Sequence, residues 1–105
     1  MVVINWTDNS LADIENIAEF IAKDSLKYAK IQVQRFFNRA EILRTHPKYG
    51  RVVPEINDEK IRELIQGNYR IIYRIVSHNR IDILTIHHSR RLLKNISNPW
   101  NLINW

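Results

Sequence analysis

The apolar residues of this chain change their spacing at Gly50, and no single kind of secondary structure accommodates both halves. Upstream, Leu11, Ile14, Ile17, Ala18 and Ile21 recur every three or four residues with Asp13, Glu15 and Glu19 between them. That stripe predicts an amphipathic helix with its acids toward the positive N-terminal end. The cluster Thr7-Asp-Asn-Ser10 supplies turn and capping side chains ahead of it, and Val2–Trp6 is a short β-branched run that reads as a strand. Lys23-Asp24 closes the helix. Ser25 can cap a second one, whose face is Leu26, Ala29, Val33, Phe36, Phe37, Ala40 and Leu43 and which Pro47 stops. The two helices are predicted to form a hairpin.

Downstream the pattern is one of short apolar runs. Gly50–Pro54 reads as an edge segment, because Pro54 has no N–H for a strand ladder, and Asn57-Asp-Glu59 as a turn. The runs Ile61–Gln66, Tyr69–Val76 and Ile81–Ile86 follow, separated only by Gly67-Asn68 and Ser77-His-Asn79. Separators that short join antiparallel neighbours. The order strand, helix pair, antiparallel meander predicts an α+β fold with both helices on one face of the sheet. Residues 1–92 are expected to form the domain, and residues 93–105, apolar but aperiodic and interrupted by Pro99, a tail without assignable structure.

At 105 residues the chain is long enough for one core and short for two. With no cysteine, disulfides, thiolate metal sites and a cysteine nucleophile are excluded, and the four histidines lack metal spacing. No metal or cofactor is expected. Met1–Trp6 has neither a basic leader nor a long apolar run, so a cytoplasmic protein that does not enter membranes is expected. The net charge is +5 and uneven: residues 1–50 hold seven Lys/Arg against six Asp/Glu, residues 51–105 nine against five. Ten of the sixteen cations are arginine, whose planar fork suits phosphate and carboxylate, so an anionic partner is favoured, with a merely solvated basic surface as the open alternative.

Alternation along Tyr69–Val76 puts Tyr69, Ile71, Tyr73 and Ile75 on one face and Arg70, Ile72, Arg74 and Val76 on the other. In a strand flanked on both sides, Arg70 and Arg74 must reach an open face or pair with an acid such as Glu63. Arg62 and Arg90-Arg91 lie on neighbouring segments that antiparallel pairing can bring to a shared anion-binding surface. His87 and His88 end the last strand and point to opposite sides, so at most one is expected to act as an acid. Glu55, after Pro54, is a candidate base or simply a solvated turn residue.

Gly50-Arg-Val-Val-Pro-Glu55, Ile61-Arg-Glu-Leu64, Tyr69-Arg-Ile-Ile-Tyr73 and Ile83-Leu-Thr-Ile-His-His-Ser-Arg90, in this order, resemble the successive motifs of the RelE/ParE toxin family. Trp6-Thr7 followed by Ala12-Asp-Ile-Glu-Asn-Ile17 is similar to its first helix, and the resemblance spans residues 2–92. It implies a toxin of a type II toxin–antitoxin system, held inactive in a hetero-oligomer with its antitoxin. Two targets are open within that resemblance. RelE-like members cleave mRNA on the ribosome; ParE-like members inhibit DNA gyrase by binding.

For cleavage, the resemblance would make Glu55 the base and Arg70 with Arg62 the phosphate ligands, leaving His88 (or His87) as the acid. Nuclease members often close on a tyrosine or histidine where this chain has Ser89, Arg90 and Arg91, and that departure favours the ParE-like reading. There the target-binding residues would be Arg70, Arg74, His88, Arg90 and Arg91.

Overall fold

The computed structural model describes residues 1–88; Arg90, Arg91 and the 93–105 tail lie outside the described residues. The elements run β1 (Val3–Trp6), α1 (Asp8–Ala22), α2 (Leu26–Ala40), a 3₁₀ turn (Glu41–Arg44), β2 (Arg51–Val52), β3 (Ile61–Gln66), β4 (Tyr69–Ser77) and β5 (Arg80–His88). They form the α+β fold expected, with the helices joined as a hairpin against a five-stranded sheet of order β1-β5-β4-β3-β2. The meander β2 to β5 is antiparallel, and β1 joins its far edge as a parallel partner of β5. The sheet is therefore mixed.

Local chemistry sets the boundaries. Thr7 caps α1 by accepting from the Ser10 N–H, and Ser25 caps α2 by accepting from the Tyr28 N–H, each satisfying one of the unpaired first-turn donors. Gly67, at φ 59°, is the first residue of the two-residue β3–β4 turn, where positive φ matches the twist of the flanking strands. A bulge in β5 sets Thr85 opposite Ile72 but Ile83 opposite Tyr73, so Leu84 is the extra residue.

The main core lies between helices and sheet: Ile14, Phe36, Ala40 and Leu43 pack on Ile4, Leu64, Ile71, Tyr73, Ile81, Ile83 and Ile86. A smaller cluster, Val53, Ile61, Ile72 and Leu84, occupies the opposite face beneath the 53–60 loop, with Ile56 packed against it. Leu11 and Leu26 do not join the core as their spacing suggested; they are 43% and 63% exposed. At 100° per residue each lies about a quarter turn round from the stripe its helix buries, in which Ser10 and Gln32 take part instead. No helix among the described residues is long and apolar enough to cross a membrane.

Candidate functional site

β3 and β4 pair with Glu63 opposite Ile72 and Ile65 opposite Arg70, so Glu63 and Arg70 share the face that carries the smaller cluster. Their side chains meet there. Arg70 donates from Nε and Nη2 to Glu63 Oε1, at 2.8 and 2.5 Å. It also donates from Nη1 and Nη2 to the two oxygens of Glu55, at 2.7 and 2.8 Å. Glu63 is fully buried and receives a second cation, with Arg51 Nε 2.6 Å from its Oε2. The Arg70 side chain is 6% exposed and that of Glu55 20%. The Glu55 hydrogen bonds, followed by Glu63, push the Arg70 guanidinium above its ordinary pKa, against the opposing effect of burial. Arg70 is fixed as a cation.

This arrangement follows from the sequence locally. Pro54 ends β2, and the turn that follows closes on Val53 O, which accepts from the Ile56 and Asn57 N–H groups. Asn57 adopts a left-handed φ of 55°, which asparagine tolerates. The turn carries Glu55 over the sheet to Arg70. Ion pairing with Glu63 is one of the two outcomes alternation allowed for Arg70; the reach of Glu55 depends on loop geometry that periodicity does not encode.

The remaining candidates are dispersed. Arg62 sits opposite Tyr73, on the other face from Arg70. Its Nε donates to Glu59 O and its Nη1 to Gly50 O at 3.0 Å, so it ties two loops together and does not join Arg70 in a shared surface. Arg74 is paired in register with Ile61 and Asp82, toward the other end of β4 from His88. His88 is opposite Tyr69, with the rings edge to face at 5.6 Å, on the helix side. His87 is buried and opposite Arg70. The two histidines thus face opposite sides, as alternation required.

Two residues make hydrogen bonds that the sequence reading did not assign. Tyr73 is fully buried, and its hydroxyl accepts from the Gly50 N–H at 3.0 Å and donates to Pro47 O at 2.8 Å. A tyrosine on the apolar face of a central strand signals such a bond, because a buried phenol needs a partner. Asp13 on α1 accepts from the Ile86 N–H and the Thr85 hydroxyl on β5.

Compared with known proteins, residues 4–93 match the family described as ParE toxin of type II toxin–antitoxin system, parDE. No curated protein matches the chain in sequence. Among solved structures, one described as the chromosomal ParDE TA system from P. aeruginosa is similar in fold, with a TM-score of 0.69 at 21% identity over 84% of this chain and 96% of that one. The family match covers most of the sequence. The chain belongs to the ParE toxin family of type II toxin–antitoxin systems, and its role is that of a toxin with an antitoxin partner.

Proposed function

We propose that the toxin arrests growth by binding DNA gyrase in the cytoplasm, with no nucleolytic step of its own. The observation that carries this reading is the mutual engagement of Glu55 and Arg70. A general base for a 2′-hydroxyl needs a carboxylate able to turn to substrate, and a phosphate ligand must present its donors outward. Here both Glu55 oxygens accept from Arg70, and the rest of that guanidinium is turned to buried Glu63. Freeing it would break a buried ion pair, which costs on the order of 3–5 kcal/mol. A binding surface needs no such opening.

In this reading His88, with Arg90 and Arg91 next in sequence, supplies the contact with gyrase, and Arg74 adds to it from the other face. Arg70 contributes by holding β3, β4 and the 53–60 loop together. Residues 1–92 are the toxin domain, silenced in a hetero-oligomer with the antitoxin. The test is a supercoiling assay with purified toxin and gyrase, run beside a cleavage assay on ribosome-bound mRNA. Loss of supercoiling with intact mRNA is expected; mRNA cleavage with normal supercoiling would restore the endonuclease alternative.

A further inference from the structure

Away from the Glu55–Arg70 network, the turn after the 3₁₀ helix and the β4–β5 turn border an open-sided cavity of about 520 Å³. Pro47, Tyr49 and Ile75 give it apolar walls, while His46, Lys48 and His78 are its ionisable lining groups. All three are basic, and no carboxylate lines the cavity among the described residues. Its frame is fixed from beneath. Tyr73 holds Pro47 O and the Gly50 N–H, Arg62 holds Gly50 O, and the Tyr49 N–H closes on His46 O. The Arg39 guanidinium stands 5.6 Å from the Tyr49 ring centroid, adding its positive charge to that of Lys48 at this edge. A cavity built in advance loses little ordering entropy when it is filled.

We propose that this cavity is a docking site for the antitoxin, taking an aromatic or branched apolar side chain flanked by Asp or Glu. The apolar walls select the side chain and the basic lining selects its neighbours. Charge argues against the other occupants. Residues 89–105 of this chain carry Arg90, Arg91 and Lys94 and no acidic side chain, and a second copy brings another +5. An acidic partner in trans is the complement. The inference rests on the toxin–antitoxin assignment and is independent of the gyrase reading.

The experiment pairs two exposed-site variants of the full chain, Lys48→Glu and Tyr49→Ala, with calorimetric titration against the co-encoded antitoxin. Each variant should melt like the parent and still inhibit gyrase, yet bind the antitoxin about tenfold or more weakly, the loss typical of a central contact. A second measurement uses the unchanged toxin and the capped peptide Glu-Phe-Asp-Leu, followed by NMR. Its amides near Lys48, Ile75 and His78 should shift, and the isosteric Gln/Asn peptide should shift them far less. Antitoxin affinity unchanged in both variants, equal binding of the two peptides, or shifts confined to residues outside this cavity would overturn the proposal. Loss of gyrase inhibition in the parent toxin would instead remove only the gyrase reading.

Discussion

Tyr73 shows how one side chain can decide a local structure. Its hydroxyl bonds two backbone groups, the Gly50 N–H and Pro47 O, at the point where the chain turns from helix to sheet. Gly50 itself admits nothing larger, since a Cβ there would lie 2.5 Å from Glu63 O and 2.8 Å from the Tyr73 ring. Tyr73→Phe should therefore cost about 1–3 kcal/mol, the penalty for leaving buried polar groups unmet, measurable by urea denaturation. Burial raises the Tyr73 pKa above its ordinary value of 10.0. The folded state thus holds this proton more tightly than the unfolded chain does. Its contribution is complete below about pH 10 and is lost as pH climbs through the raised value, so the parent should weaken in alkali more steeply than Tyr73→Phe. The ion pair of Arg70 with Glu63 was within reach of sequence reasoning, because strand alternation puts the two on one face. Glu55 and Tyr73 were not assigned their partners, because those partners lie in turns whose path alternation does not describe.

Among the elements, the junction of α1 with β5 is the least evident from sequence. β1 pairs with β5 only as far as Trp6 opposite Ile83, which leaves the rest of that strand edge without a ladder. Side chains of α1 and its cap take over: Thr7 donates to Ile83 O, Asn9 to Leu84 O, and Asp13 accepts the Ile86 N–H. In the sequence Asp13 reads only as an acid suited to a helix N-terminal half; nothing in the spacing says that β1 returns to lie parallel to β5. Asp13→Ala should cost about 1–3 kcal/mol and speed hydrogen exchange at Ile86 well beyond that at Ile71 on the central strand. Equal exchange at the two amides would show that the helix does not guard the edge. The helix faces themselves were legible, with Phe36 fully buried where its stripe placed it. Phe36→Ala should destabilise by about 3–5 kcal/mol, enough to leave much of the isolated toxin unfolded in a thermal melt. The bulge at Leu84 was not legible: Ile81, Ile83 and Ile86 share a face although the last two are three residues apart.

At the scale of the whole molecule, the functional question is whether the toxin's effect is concentrated in one acid–base pair or spread over a surface. The basic excess of the second half was plain from the sequence, but its chemical meaning depended on which cations the fold consumes. Arg51 and Arg70 are consumed by Glu55 and Glu63, and Arg62 by backbone carbonyls. Arg90 and Arg91 lie outside the described residues, so their role rests on the proposal that they contact gyrase. Glu55→Gln separates the alternatives. Glutamine keeps one acceptor for Arg70 and the site is partly exposed, so the change should cost no more than about 1–2 kcal/mol of stability. As a base it would be useless, and losing a general base typically costs about 10²–10⁴ in rate. A gyrase-binding toxin should then arrest growth normally as Glu55→Gln and lose potency as the Arg90→Ala/Arg91→Ala double variant, with circular dichroism confirming that both are folded. Arrest abolished by Glu55→Gln and preserved by the double variant would mean that Glu55 leaves Arg70 to meet a substrate, and that the toxin is an endonuclease after all.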